Sequence, residues 1–384
     1  MGGLLAPART QMVITNLESV TLHRLALTPF RADTDAGVIL ETLRQALALG
    51  EDLFLKFLGE NGLDALWYEV LKQNDLAPPS ERFLATLKRA RQIAAASYLA
   101  QKDALERIDA AFEAASVRYA VIKGVHVREL VYDDPALRPA SDIDILVTRN
   151  QRDLAAQTLV RHGFEPHLDA EIVSHEASFH DQNVSVDLHW YIMRPGRTRV
   201  DVTGSFLERR RWEGFFWGLD HADALFTLLV HPAFAKYVTS PHALLCRLVD
   251  LSRWLRNRDV DWDKTLALLD HAGLKTAAWA ELSWTSWLMG PVASIDILKS
   301  LEPGCLRARY LRYWVEQNLP THWLHYPLLI QIAFTLALHD RPSDALTAIR
   351  GWLRHKWMMR DEQETLLAAL ADSLPGPLSD ARGR

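Results

Sequence analysis

Three acidic residues in two strand-like runs are the side chains of this chain best suited to chemistry. Asp142 and Asp144 stand one residue apart in a run that ends Ile-Leu-Val, and Asp187 lies in a later run of alternating apolar and polar residues. Because side chains alternate across a strand, we expect Asp142 and Asp144 on one face, where Asp187 can join them. Clustered carboxylates repel one another unless a cation shares the site, and oxygen ligands suit Mg²⁺ or Mn²⁺. The pattern therefore predicts a metal site formed by these three residues.

A Lys-Gly pair upstream of the acids indicates what the metal would handle. Gly124 stands where an apolar run gives way to a helical pattern, and a glycine there lets the backbone approach phosphate oxygens beside a helix N-terminus. Lys123 can place its charge on a phosphate, and Arg138 can hold one with two parallel hydrogen bonds. Ser141 and His189 lie close to the acids in sequence and complete the set of expected nucleotide-binding residues.

Together these residues fit nucleotidyl transfer, which needs a held triphosphate and neutralised charge as pyrophosphate leaves. Metal on Asp142 and Asp144 would bridge the triphosphate, and Asp187 would complete the site and act as a base toward the acceptor. Each motif is weak alone, and their order on strand, helix and strand makes the combination more specific. The plainer interpretation is a small α/β domain whose acids lie on the surface.

A zinc hydrolase is a second interpretation, because the chain contains 15 histidines. His175, His180, Asp187 and His189 could supply the three ligands and the open position of a catalytic zinc site. However, the spacing of His175 and His180 is not that of a helical zinc pair, and the Asp-x-Asp strand would be left unexplained. We therefore favour the carboxylate site.

The elements that must position these residues divide the chain into segments. Hydrophobic spacing near one helical turn alternates with period-two runs only in the middle third. This predicts an α/β unit between two all-helical regions. The expected segments are an N-terminal arm at 1–35, a helical region at 36–116, the α/β unit at 117–219, a helical region at 220–372 and a flexible tail at 373–384.

Within the α/β unit the apolar runs predict three strands and two helices. Asn150 is expected to cap the second of these helices, and Gly163 to end it. A further short strand is expected at Met12–Thr15. The expected elements of the unit are strands at Tyr119–Ile122, Ile143–Val147 and Val184–His189, and helices at Val125–Tyr132 and Gln151–His162.

Charge and composition narrow the class of partner. The net charge of −5 and the pI near 6.3 disfavour a surface coated for nonspecific nucleic-acid binding. Basic runs at 88–91 and 209–211 leave a local groove open as an alternative to solvated helix faces. The two cysteines, Cys246 and Cys305, are expected as small buried hydrophobes in a reducing cytoplasm. The most apolar run, Pro327–Leu338, is too short to cross a bilayer and is expected to be a core helix. These features predict a cytoplasmic protein with no membrane partner.

Three features of the C-terminal region allow a structural or a functional interpretation. Arg247 and Asp250 are spaced to pair on one helix, which favours a structural ion pair. His231 is expected to be a buried, capped histidine, although it could orient the helices toward the site. The tryptophans at 279, 284 and 287 are expected in the core, with an aromatic wall for an acceptor or nucleobase as the alternative.

These motifs resemble a known family. The run Val121-Ile122-Lys123-Gly124, the run from Ser141 to Val147, His175 and the run Asp187-Leu188-His189-Trp190 are similar to the uncharacterised bacterial nucleotidyltransferase family of the polymerase-β-like superfamily. The resemblance covers about residues 36–290. It implies an α/β (α+β) palm with a small mixed sheet and flanking helices, and metal carboxylates at the three acids. The Gly-Ser pair usual in the superfamily is Lys-Gly here, so the serine that commonly touches phosphate is missing.

The sequence thus predicts a nucleotidyltransferase that uses Mg²⁺ or Mn²⁺. It would move a nucleoside monophosphate from a nucleoside triphosphate to an acceptor hydroxyl or phosphate and release pyrophosphate. A small molecule, peptide or protein is favoured as acceptor over a long nucleic acid. Two alternatives remain: a tailoring transferase that uses another activated phosphate on a peptide or natural product, and a noncatalytic nucleotide-binding or partner-binding protein. The three intact acids disfavour the second alternative.

Overall fold

A computed structural model of the chain describes residues 16–167, 175–236, 245–317 and 327–371. The expected strand at Met12–Thr15 and the expected tail at 373–384 lie outside the described residues.

The region before the sheet is helical, as expected. Two of its helices begin at side-chain caps: Asp35 accepts a hydrogen bond from the Val38 N–H at 2.9 Å, and Ser80 accepts one from the Phe83 N–H at 3.0 Å. The first helix was not expected from the sequence, and it buries Leu22 in the core. The helices described here are α1 Asn16–Leu27, α2 Ala36–Leu49, α3 Glu51–Glu60, α4 Asp64–Gln73 and α5 Glu81–Ala114.

The middle third forms a mixed, open sheet that is seven-stranded within the described residues. Strands β1, β2 and β5 confirm the three expected runs, and the other four were not expected. The order across the sheet is β3-β4-β5-β2-β1-β7-β6, with β2 parallel to β5 and antiparallel to β1. The strands are β1 Tyr119–Ile122, β2 Ile143–Val147, β3 Glu165–His167, β4 Glu176–His180, β5 Ser185–His189, β6 Arg211–Trp212 and β7 Trp217–Gly218.

The helices of this unit are α6 Lys123–Val131, α7 Arg152–Arg161 and α8 Thr203–Glu208. The expected cap at Asn150 is wrong, because a short 3₁₀ turn over Arg149–Gln151 precedes α7 and no side chain caps its first turn. Gly163 follows α7 with a φ of +88°, which a glycine adopts readily.

The two faces of β2 belong to different environments. Ile143, Ile145 and Val147 pack in a core that also contains Leu105 of α5 and Leu159 of α7. The alternate residues, Asp144 and Leu146, point to the other face. That face of the sheet is covered by the larger core, which also includes residues of the N- and C-terminal helices. The acidic residue of β2 therefore faces the helical regions.

The C-terminal region is again helical within the described residues. Its helices are α9 His221–His231, α10 Cys246–Asn257, α11 Trp262–Ala272, α12 Lys275–Met289, α13 Ile295–Leu301, α14 Cys305–Glu316, α15 Pro327–Ala333 and α16 Pro342–Leu370. The expected core helix at Pro327–Leu338 is divided into α15 and a 3₁₀ turn at Thr335–Leu338. The helix that begins at Pro342 continues to Leu370. Trp279 and Trp284 are buried in the core of this region.

The last helix returns to the sheet. Leu366 and Leu370 of α16 are buried in the core under β2. Glu362 accepts a hydrogen bond from Arg149 at 2.6 Å and also pairs with Arg152 at the start of α7. A helix near the C-terminal end of the described residues thus packs against the central sheet. The expected domain boundaries stay a prediction.

The described residues test the expectations about the two cysteines and about membrane-spanning helices. Cys246 is buried as expected, but the expectation is wrong for Cys305, which is exposed at the start of α14. No helix in the described ranges is both long enough and apolar enough to cross a membrane. The architecture is α+β with flanking helical regions, which confirms the expected fold class.

Candidate active site

Asp144 and Asp187 lie side by side on neighbouring strands. Strands β2 and β5 are parallel, and their register pairs Asp144 directly with Asp187. Asp144 is buried and Asp187 is half-buried. A carboxylate oxygen of each and a ring nitrogen of His189 all lie within 4.8 Å of one another. The structure therefore brings together two of the three expected acids and one expected nucleotide-binding residue, which we call the carboxylate site.

Asp142 and Ser141 lie just outside this group. Strand β2 begins at Ile143, so Asp142 precedes the strand. Asp142 is half-buried and Ser141 is exposed, and both line the same cleft as the carboxylate site. In the part of the chain that the structure describes, Asp142 is not in the carboxylate site as defined above.

Lys123 forms a buried ion pair with Asp144. Its Nζ lies 2.6 Å from Oδ1 of Asp144 and 3.1 Å from Nε2 of His189. Burial alone would lower the pKa of Lys123, but the Asp144 carboxylate and Glu176 outweigh it and raise that pKa. Burial alone would raise the pKa of Asp144, yet Lys123 and His189 hold it well below its usual range. Both partners are therefore charged at neutral pH.

Glu176 orients His189, and the sequence did not reveal it. Nδ1 of His189 lies 3.0 Å from Oε2 of Glu176, and Nε2 lies 2.9 Å from Oδ1 of Asp144. A carboxylate accepts hydrogen bonds, so a proton on Nδ1 lets the ring donate to Glu176, and a proton on Nε2 lets it donate to Asp144. In the tautomer with the proton on Nδ1 alone, Nε2 can accept from Lys123 or bind a metal, as in carboxylate–histidine–metal arrangements. The signal in the sequence was the polar–apolar alternation over 176–180, which is typical of a half-buried strand, and the register of β4 then pairs Glu176 with His189.

Asp187 accepts a hydrogen bond but has no lysine or arginine as an ion-pair partner among the described residues. Ser178 donates a hydrogen bond to its Oδ1 at 2.7 Å. Burial raises the pKa of Asp187, and the negative charge of Asp144 raises it further. Among the described residues no lysine or arginine pairs with this carboxylate. Two carboxylates and a ring nitrogen, with no lysine or arginine on Asp187, could hold Mg²⁺ or Mn²⁺.

The four residues of the zinc interpretation do not come together. His175 is buried next to His189, with ring centroids 5.8 Å apart, and burial lowers its pKa well below the usual value. It forms a second possible donor group with Glu176 and His189. His180, however, is exposed near Glu165, with its Nε2 3.8 Å from a carboxylate oxygen. It belongs to neither donor group found among the described residues.

Arg138 makes its bidentate contact with a carboxylate of the protein. Its Nε and Nη2 donate to Oδ2 of Asp250 at 3.1 and 2.8 Å, and Oδ1 of Asp250 accepts from the Tyr132 hydroxyl at 2.7 Å. The expected pair between Arg247 and Asp250 is therefore wrong, because Asp250 is taken by Arg138. A Cβ at Gly124 would collide with Nη1 of Arg138, so this glycine makes room for the guanidinium. The left-handed backbone conformation is at Lys123, with a φ of +56°, and not at Gly124.

Three other arginines line the cleft, and we call them the arginine trio: Arg194, Arg197 and Arg247. Nη1 of Arg197 donates to the Phe234 carbonyl at 3.3 Å, and burial together with Arg194 lowers the pKa of Arg197 to about 9. Burial also lowers the pKa of Arg247. Within the described ranges, none of the trio pairs with a carboxylate. His231, at the end of α9, is half-buried and lines the same cleft.

The sequence missed Arg194 and Arg197, although a signal was present. They lie on the loop directly after the strand that contains Asp187 and His189. Loops that follow a strand of a site often carry binding residues, so basic residues at this place were the signal. The side chains of the basic run at 209–211, by contrast, contact other groups of the protein. Arg209 pairs with Asp223 at 2.8 Å, and Arg210 stacks 4.5 Å above the ring of Trp217. That run therefore does not form the open basic groove left as an alternative.

The span of the family match includes the whole cleft. A family model described as "Uncharacterised nucleotidyltransferase" matches residues 48–290, which contain the carboxylate site, Lys123 and the arginine trio. Searches of the curated proteins and of the solved structures gave no match. Because the family model matches more than half of the chain, the chain belongs to this family of uncharacterised nucleotidyltransferases.

Proposed function

We propose that the chain is a metal-dependent nucleotidyltransferase. It moves a nucleoside monophosphate from a nucleoside triphosphate to an acceptor hydroxyl or phosphate and releases pyrophosphate. The observation that carries the proposal is the meeting of two kinds of charge in one cleft. Paired carboxylates on β2 and β5 lie beside arginines that have no carboxylate partner among the described residues. An anion with several charges and a bound cation satisfies both halves.

Asp144, Asp187 and His189 are the residues that would hold Mg²⁺ or Mn²⁺, with Asp142 as a further carboxylate at the edge of the cleft. When bound, the ion supplies positive charge against the phosphate oxygens and the leaving pyrophosphate. Asp187 has a second role in the proposal. As a carboxylate in the cleft, it would accept the proton of the acceptor hydroxyl.

The arginine trio holds the phosphates of the donor. Guanidinium groups match phosphate oxygens with paired N–H donors, and in a partly dehydrated cleft these contacts are stronger than in water. The N-terminus of α6 adds to this, because Lys123 and Gly124 both line the cleft at its first turn. Free backbone N–H groups at a helix N-terminus bind phosphate well. Ser141 lies exposed at the edge and is a further contact in the proposal.

The donor in this proposal is a nucleoside triphosphate, and the acceptor is a small molecule, peptide or protein. The net charge of −5 supports an acceptor other than a long nucleic acid. Incubation with each α-labelled nucleoside triphosphate, Mg²⁺ or Mn²⁺, and fractions of the host lysate identifies both substrates. Label is expected to move to one fraction in the presence of the ion.

The Asp187→Asn variant tests the assignment. It removes a carboxylate charge with little change in shape, and transfer is expected to fall about a hundredfold or more. Asp103→Asn, an exposed acid on α5, is the matched control and should retain activity. Equal transfer by the Asp187→Asn variant would show that the carboxylate site is not catalytic. Calorimetry that detects no Mg²⁺-dependent triphosphate binding would favour the noncatalytic alternative instead.

A further inference from the structure

Lys123 occupies the place of a cation inside the carboxylate site. Its ammonium lies between an oxygen of Asp144 and Nε2 of His189, at 2.6 and 3.1 Å. These two atoms also belong to the donor group that fits a divalent ion. We propose that Lys123 is a built-in cation that takes the position of one divalent ion, so that the site binds a single ion. This inference rests on the proposed function, since it concerns the metal of the same site.

The ammonium and a divalent ion exclude each other from this position. Both are positively charged, and an ion bound to the same oxygen of Asp144 and to Nε2 of His189 would lie in the space that Nζ fills. Nε2 of His189 lies 3.1 Å from Nζ, so this one ring nitrogen cannot face the ammonium and bind a divalent ion in the same place.

Lys123 cannot leave this position easily. The Lys123 side chain is 16% exposed and that of Asp144 is 9% exposed, so their separation would leave two charges with little access to water. The ion pair is thus a permanent part of the cleft.

The backbone at Lys123 supports the same conclusion. Its φ of +56° lies in the left-handed region, where glycine is the ordinary residue. A glycine follows immediately, but it does not take this conformation. The conformation lies at the junction of β1 and α6, and from there the lysine side chain reaches both β2 and β5. The chain tolerates an unfavourable backbone where the side chain reaches the acids.

One divalent ion remains possible beside the ammonium. Asp187 faces no lysine or arginine among the described residues, and Asp144 has a second carboxylate oxygen. Asp187 and Asp144 would therefore hold the single ion, with Asp142 close by in the cleft, and the ammonium removes His189 from the donor set named in the proposed function. Asp144 would then be shared between the ammonium and the ion.

The number of bound Mn²⁺ ions tests the inference without any measurement of activity. Equilibrium dialysis of the full chain against Mn²⁺ alone, with free Mn²⁺ read by electron paramagnetic resonance, should give one ion per chain. The Lys123→Met variant keeps the length of the side chain and removes its charge, and it should bind a second ion. Lys123→Arg keeps the charge and should bind one. Lys88→Met, at an exposed position of α5, is the matched control and should also bind one.

Each other outcome overturns the inference. Two ions on the unaltered chain, which requires no variant to fold, would show that Lys123 does not replace an ion, and the proposed function would stand. One ion on a Lys123→Met variant with an unaltered circular dichroism spectrum would show the same. The single ion should be lost in Asp187→Asn, and its retention would place it elsewhere. No ion on the unaltered chain would overturn both this inference and the metal-dependent function.

Discussion

The acidic and basic sides of the cleft are built differently. On the acidic side, Asp144 and Glu176 are held by Lys123 and His189. On the basic side, the arginine trio has no carboxylate partner among the described residues. Charges that the protein pairs itself set the shape of a site, whereas charges that it leaves without counterions favour a ligand of opposite sign.

Arg138 shows what a paired arginine looks like in the same cleft. It lines the cleft as Arg247 does, but Asp250 neutralises it with two hydrogen bonds. The comparison predicts that Arg138 supports the fold and that Arg247 supports ligand binding. Three substitutions can break or sharpen this division.

The largest effect is expected from Arg138→Ala. It leaves the carboxylate of Asp250, which is 1% exposed, without its cation in the core. Breaking such a pair costs about 3–5 kcal/mol of unfolding free energy. Urea unfolding followed by circular dichroism measures the loss. Arg312→Ala, which breaks the exposed pair with Glu302, should cost less than about 1 kcal/mol. If Arg138→Ala kept its stability and lost triphosphate binding, the division would fail.

A smaller effect is expected from Arg247→Ala. The loss of a hydrogen bond to a charged phosphate is worth about 1.5–3 kcal/mol, so the Kd for a nucleoside triphosphate with Mg²⁺ should rise roughly tenfold to a hundredfold. Calorimetry measures the change. Arg309→Ala, at an exposed position of α14, is the control that should leave the Kd unchanged. An unaltered Kd for Arg247→Ala would show that Arg247 does not bind the phosphates of the triphosphate.

The smallest effect on binding is expected from Glu281→Gln. Burial raises the pKa of Glu281 to about 8, although Arg247 opposes this, so the carboxyl is neutral at pH 7 and does not neutralise the arginine. The variant should therefore bind the triphosphate at pH 7 as tightly as the unaltered chain. Weaker binding would reveal Glu281 as an ionised partner of Arg247.

The same substitution has a pH-dependent effect on stability. The folded-state pKa of Glu281 lies above the value of 4.5 expected when unfolded, so its contribution is fully present below pH 4.5 and is lost as the pH rises through about 8. The melting temperatures of Glu281→Gln and the unaltered chain should be closer at pH 6 than at pH 9. At pH 9 the variant should melt at a higher temperature than the unaltered chain. An identical pH dependence in both proteins would contradict the raised pKa.

Local patterns predicted much of the fold. Strands β1, β2 and β5 and most helices follow from spacing within a few residues, because burial of one face imposes a period of two or 3.6. The strands β3, β6 and β7 were missed, since two or three residues carry little periodicity of their own. Their pairing with neighbours stabilises them. Strand β4 is as long as β2 and its residues alternate, so its pattern was overlooked, and Glu176 was missed with it.

The sequence by itself determined that Asp144 and Asp187 stand on strands, because alternation along a strand is local. Only the tertiary structure decided which groups surround them. Lys123 meets Asp144 across 21 residues, and Arg138 meets Asp250 across 112. Register and helix packing select such partners, and no spacing along the chain encodes them. The physical reason is that a buried charge pairs with the group that folding brings nearest, however far away it lies in sequence.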